Sequence, residues 1–205
     1  MTQITRRQSL ALLGAAAGTG LAGPALAQQP QVLTEVSKYL NQLVTIQGRF
    51  TQVNSDGSRI SGQYYLARPG RIRFEYDGGN ALVLASGVNV AVFDRKGNPK
   101  VQRYPLNQTP LRFLLAEQID LTQRNLARDT GSQDGFTSVV LQDPRAPREG
   151  SMTLVLRNAP PTLTQWTVTD AGGQNTTVIL ESIERPSNMS ARLFNIEAEA
   201  RSWEG

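Results

Sequence analysis

Residues 60–77, ISGQYYLARPGRIRFEYD, describe two half-buried strands joined by an Arg-Pro-Gly turn. From Arg71 to Asp77, the residues Ile72, Phe74 and Tyr76 fall on one face, and Arg71, Arg73, Glu75 and Asp77 on the other. That period of two is the signature of a sheet with one apolar and one solvated side. Pro69 fixes its own φ near a turn value and biases Arg68 towards an extended conformation, while Gly70 tolerates positive φ. The apolar side is broad and aromatic.

Strands continue on both sides of this hairpin. The alternation predicts strands near 47–54, 60–67, 71–77, 81–86, 88–94 and 100–104. Asp56-Gly57, Gly78-Gly79, Ser86-Gly87 and Lys96-Gly97-Asn98 supply turns between them. A second series is predicted near 122–128, 136–142, 151–157, 163–170 and 174–183, with Ala171-Gly172-Gly173 as a hairpin turn and Pro160-Pro161 interrupting any strand there. Residues 143–150, DPRAPREG, form the longest polar connection. Two helical pieces flank the first series. Val32, Leu33, Val36, Tyr39, Leu40, Leu43 and Val44 make one apolar stripe over 32–45, with Thr34 and Ser37 near its start. Leu111, Leu114, Leu115 and Ile119 make another over 111–119, with Thr109 as N-cap and Pro110 at the first helical position.

The first 27 residues read as a cleavable export signal. Arg6-Arg7 precedes an apolar run from Leu10 to Ala25 that ends in Ala25-Leu26-Ala27, a small-x-small cleavage pattern, so the mature chain is expected to begin at Gln28. Residues 5–10, TRRQSL, resemble a twin-arginine signal, with Sec export as the alternative. A retained anchor is the other reading, but the run is shorter than the ~20 residues needed to span a bilayer and is interrupted by glycines. Of the 205 residues, 178 would remain, one domain with a sizeable core. Losing Arg6 and Arg7 leaves 19 basic residues against 17 acidic, a net charge of +2 that gives no case for nucleic acid. The isoelectric point near 9.8 reflects a slight basic excess with nothing titrating in the middle range.

The chain has no cysteine and no histidine. It therefore has no disulfide, thiolate nucleophile, lipobox, Ser-His-Asp triad or histidine metal site, and no metal or other cofactor is expected. Glu75, Asp77 and Glu181 fall in the polar phase of strands, and no spacing brings two carboxylates together as a glycosidase would need. An enzyme is not expected.

An ordered set of motifs resembles the periplasmic outer-membrane lipoprotein carrier family, LolA. The set comprises Phe50-Thr51-Gln52, Gly62, the block from Arg68 to Tyr76, Gly87, Phe93-Asp94, Val101-Gln102, Thr109-Pro110 and Leu114-Leu115. Asp170 and Gly172-Gly173-Gln174 sit where the family places a hairpin turn. The family's Ser-Asp-Gly turn appears as Ala85-Ser86-Gly87, and its C-terminal motif is reduced to Phe194-Asn195-Ile196.

From the residues alone, the sheet could be closed and filled by its own side chains, or incompletely closed with helices over its mouth. The resemblance implies the second: a mainly β, antiparallel, incompletely closed barrel with a lid of short helices enclosing an apolar cavity. It also implies a periplasmic monomer that accepts acylated lipoproteins from an inner-membrane lipoprotein-releasing ABC transporter and hands them to an outer-membrane acceptor. On that reading Phe50, Tyr64, Leu66, Ile72, Phe74, Tyr76, Val90 and Val92 line the lipid-binding cavity. Leu111, Leu114 and Leu115 belong to the lid, and Arg68 is the latch that holds it. The alternatives are a periplasmic lipid-sensing regulator or signalling domain of the same architecture and a structural envelope or outer-membrane β protein. The latter needs a continuous lipid-facing band that these short, charged strands lack.

Overall fold

The alternating pattern around residues 60–77 is matched by the backbone over most of the chain. The structure, a computed structural model, describes residues 25–97, 100–123 and 125–204; residues 1–24 of the expected signal lie outside them. Helix α1 (Ala25–Gln42) leads into strands β1 (Thr45–Val53), β2 (Arg59–Ala67), β3 (Ile72–Tyr76), β4 (Ala81–Ser86), β5 (Asn89–Asp94) and β6 (Gln102–Pro105). After the short helix α2 (Leu111–Leu115) come β7 (Ala127–Gln133), β8 (Phe136–Leu141), β9 (Ser151–Asn158), β10 (Pro161–Thr169) and β11 (Asn175–Leu180), and α3 (Ile196–Glu204) ends the described chain.

All eleven strands form one antiparallel sheet in the order β6-β5-β4-β3-β2-β1-β11-β10-β9-β8-β7. Each hairpin neighbour pairs with the next, and β1 joins β11, with Phe50 opposite Leu180. The edges β6 and β7 do not pair with each other, so the sheet is not closed. The link between them, residues 106–126, carries α2 and places Leu106, Leu114, Leu115, Ile119 and Leu121 in the apolar cluster on the concave face. Helix α1 joins the same cluster through Val36, Tyr39 and Leu40, and Leu43 just beyond its end does so too. Cover and sheet bury one another's apolar sides, each large side chain contributing about 1.5–3 kcal/mol.

Several local expectations change. Ser37 is in the body of α1, where its hydroxyl donates to Leu33 O (2.7 Å) and accepts from Leu121 N (2.9 Å), so it ties the helix to the lid segment and does not cap it. The helix stops at Gln42 and Val44 is 50% exposed, because Leu43 N closes back on Leu40 O and Val44 O accepts from Arg68 N. Pro110 takes the N-cap position of α2, while the Thr109 hydroxyl donates to Leu106 O (2.9 Å). Helix α2 ends at Leu115, whose carbonyl is taken by Gly70 N (2.9 Å), so Ile119 reaches the interior from a non-helical segment. The strand expected near 122–128 forms at 127–133. The Asp120 carboxylate accepts from Thr122 N, the Thr122 hydroxyl and the Gln123 amide, and holds 120–123 in turns.

The largest correction concerns the outer face of the first half-sheet. Its charged alternation predicted solvent, yet Arg73 is 8% exposed. The 3-10 turn at Ala191–Phe194 and helix α3 return across it, packing Phe194, Ile196 and Ala200 against Ala67, Leu82, Leu84, Ala91 and Phe93. Arg73 reaches Glu75 (2.6 Å), Glu199 (2.8 Å) and Leu193 O (3.0 Å), which pairs its charge within the contact. A buried cation needs such partners. On the outer face of the other half the hydroxyls of Thr167 and Thr177 share a 2.8 Å hydrogen bond.

Candidate functional site

The concave face begins with the alternation that defined the strands. Phe50 from β1, Tyr64 and Leu66 from β2, Ile72 and Phe74 from β3 and Val90 from β5 are all buried in one cluster, and Tyr76 packs against it half-buried. Val92 has the same parity as Val90 and pairs with Val83, but it is half-buried and outside the cluster. On α2, Leu114 and Leu115 are buried and Leu111 is half-buried. Phe50 and Phe74 meet edge-to-face at 5.1 Å, and Phe74 lies 6.2 Å from Trp166. Such ring pairs add about 0.5–1.5 kcal/mol beyond their buried area.

Trp166 and the rest of the far wall were absent from the sequence-predicted set. Val139, Leu141, Met152, Leu154, Leu156, Leu163 and Val178 complete the cluster. The signal for β9 is plain in residues 151–157, where Met152, Leu154 and Leu156 alternate with Thr153, Val155 and Arg157. Trp166 is harder to find, because a bulge between Leu163 and Gln165 shifts the parity of β10. The amide of Leu163 beside that bulge donates to the Tyr39 hydroxyl (2.9 Å), so α1 satisfies a donor next to the irregularity.

Arg68 joins this face to its cover. It is 6% exposed and ends β2's hairpin, with Gly70 at φ +68. Its Nε donates to Leu43 O (3.1 Å), Nη2 to Leu40 O (2.7 Å) and Nη1 to Ala116 O (3.3 Å). One planar group thus binds the C-terminal end of α1 and the segment after α2, while Gly70 N binds the last carbonyl of α2. Cations are favoured at helix C-termini, where carbonyls lack helical partners. Burial lowers the Arg68 pKa from the ordinary arginine range. A second amide links the covers to each other: Asn41 Nδ2 donates to Ile119 O (2.8 Å) and its Oδ1 accepts from Ile119 N (3.0 Å).

The cluster offers apolar contact and ring faces, with neutral hydroxyls at its margin. Burial raises the pKa of the Tyr64 and Tyr76 hydroxyls, which donate to Ser182 O (2.9 Å) and Gln52 Oε1 (2.6 Å). Among the described residues no three acidic groups gather as a metal site, and no helix is long and apolar enough to cross a membrane. Such a surface suits a hydrocarbon guest, since apolar area needs only apolar area to be removed from water.

A curated relative from Alkalilimnicola ehrlichii, described as an outer-membrane lipoprotein carrier protein, is 26% identical over 85% of this chain and 83% of its own. Among solved structures, a LolA superfamily protein from Nitrosomonas europaea has a TM-score of 0.44 at 10% identity, covering 82% of this chain and 98% of its own. The MucA/MucB complex of Pseudomonas aeruginosa has a TM-score of 0.46 at 13% identity, covering 83% and 62%. The profile of one family, described as outer membrane lipoprotein carrier protein LolA, matches residues 41–197, a span that takes in the strands, the Arg68 turn and the α2 cover. The chain therefore belongs to the LolA family of outer membrane lipoprotein carrier proteins.

Proposed function

We propose that this protein is a periplasmic carrier that receives the acyl chains of lipoproteins released by an inner-membrane ABC transporter, shields them and delivers the cargo to an outer-membrane acceptor. The observation that carries the reading is the Arg68 junction. An aromatic concave face lies beneath two helical covers held by donors from a single turn. Each acyl CH₂ withdrawn from water is worth about 0.8 kcal/mol, so one long chain contributes on the order of 10 kcal/mol towards displacing the packed rings and lifting the covers. No bond is made or broken, and no cofactor takes part. On this reading residues 1–27 direct export, by the twin-arginine route or by Sec, and are removed. Phe50, Tyr64, Leu66, Ile72, Phe74, Tyr76, Val90 and Val92, with Trp166 opposite, then surround the guest beneath Leu111, Leu114 and Leu115.

The test uses inner-membrane vesicles holding the transporter and a triacylated lipoprotein. With the mature chain present, lipoprotein should appear in the supernatant in a complex with it. Phe74→Glu, which puts an unpaired charge among the rings, should release none while remaining folded. A supernatant free of lipoprotein with the wild-type chain, or full release by folded Phe74→Glu, refutes the reading.

A further inference from the structure

Helix α2 is only LRFLL, and its fastenings differ in kind at its two ends. Its C-terminal end is held by Gly70 and Arg68, which donate to the neutral carbonyls of Leu115 and Ala116. Near its N-terminal end Arg112 points away from the concave cluster, to the polar 143–150 connection between β8 and β9. There its guanidinium pairs with Glu149 and with Asp143 (3.3 Å), and it also donates to Asn107 O. Arg145 approaches Asp143 from the loop's own side (3.6 Å), and its amide donates to the same carboxylate (2.9 Å). These contacts lower the Asp143 pKa, the Arg145 amide bond most and then the charges of Arg145 and Arg112.

The contact is electrostatic more than packed. A groove of about 450 Å³ bordered by Phe113, Asp120 and Arg145 lies on one side, and one of about 610 Å³ bordered by Pro110, Arg148 and Asp170 on the other. The three paired side chains keep 17–32% of their surface exposed, so mobile ions reach them. Arg68, buried against carbonyls, is shielded from salt to a far greater degree.

We propose that Arg112, with Asp143 and Glu149, is a positioning residue for cargo entry. Its charge-dependent hold on α2 sets how readily this part of the lid leaves the sheet, independently of Arg68. The proposal rests on the carrier reading for its role in loading, while the hold itself is a property of the unliganded protein. Lid opening then breaks two fastenings of unlike chemistry, and only this one weakens with ionic strength. A charged surface brought near the 143–150 loop competes for the same guanidinium.

Amide hydrogen exchange at Leu114 and Leu115 in the unliganded mature chain tests it, with Tyr64 on β2 as the reference for global opening. In wild type, exchange at the two lid amides should quicken about threefold from low salt to about 0.5 M while Tyr64 stays unchanged. Arg112→Gln should start at the faster rate and show no salt response, and Arg112→Lys should retain the response. The same three proteins are then timed taking up a fluorescent fatty acid, with Arg112→Gln about threefold faster at low salt. Lid exchange that ignores salt in wild type, or a salt response kept by Arg112→Gln, overturns the inference. A lid that responds to salt in a protein that takes up no fatty acid overturns the carrier reading instead.

Discussion

The rings of Phe50 and Tyr76 meet edge-to-face at 5.4 Å although they belong to β1 and β3, with β2 between them. Both residues pair in register with Gly62 of β2. Strands two apart lie about 9.6 Å from one another, so the rings approach only because the position between them carries no side chain. A Cβ at Gly62 would fall 2.1 Å from Glu75 O and 2.8 Å from the Phe50 ring.

Gly62→Ala should therefore cost at least about 2 kcal/mol, since a backbone oxygen cannot turn aside as a flexible side chain can. Urea unfolding measures it. A loss within about 0.5 kcal/mol, the range of neutral surface changes, would show that the sheet relaxes around the methyl group.

Trp166→Ala removes the largest fully buried side chain of the far wall. Stability should fall by about 3–5 kcal/mol, and a long-chain fatty acid should restore part of it by filling the space. Thermal melts with and without the acid give both numbers. Equal melting temperatures in the two conditions would place the guest elsewhere.

Arg68→Leu removes three charge-assisted bonds that join sheet to covers. On the proposed carrier reading those bonds are made only in the closed form, so their loss should shift the population towards open. The variant should bind acylated cargo at least as tightly as wild type and hand it to acceptor membranes several-fold more slowly, about tenfold for each 1.4 kcal/mol of closing energy lost. Arg68→Lys should recover little, because an ammonium group cannot serve three fixed carbonyls in one plane. Transfer times for the three proteins decide it, and an unchanged rate in folded Arg68→Leu removes the residue from the mechanism.

Burial raises the pKa of Tyr64 and Tyr76 above the usual value near 10. The folded state then holds protons that the unfolded chain releases, so this contribution is complete below pH 10 and is lost as pH rises from there towards the folded values. Denaturant midpoints should be flat around neutrality and fall above about pH 10. Tyrosinate absorbance should show Tyr64 and Tyr76 ionising together with unfolding. Ionisation of both before the fold is lost would contradict the burial of their hydroxyls.

The hairpin that opens the first half was legible because Ile72, Phe74 and Tyr76 keep a strict period of two and Pro69 and Gly70 mark its turn. The residues of β4 and β5 carried a further signal. In Leu82, Val83, Leu84 and Ala85, and again in Val90, Ala91, Val92 and Phe93, apolar side chains occupy both parities, the mark of a strand buried on two faces. Their outer cover, Phe194, Ile196 and Ala200, comes from the far end of the chain, and pairing across about a hundred residues leaves no local pattern. The Arg68 turn was readable as a turn, but its acceptors could not be read, because main-chain carbonyls of Leu40, Leu43 and Ala116 have no letter in the sequence. Trp166 was hidden by one extra residue in β10.

The edges β6 and β7 never share a ladder, and the chain between them is itself the cover. A wider gape therefore sacrifices side-chain contacts and a few tethers, but no interstrand hydrogen bond. On the proposed carrier reading, the seam would let the bore follow the number and length of the chains taken in, with the sheet's bonding the same whether empty or full.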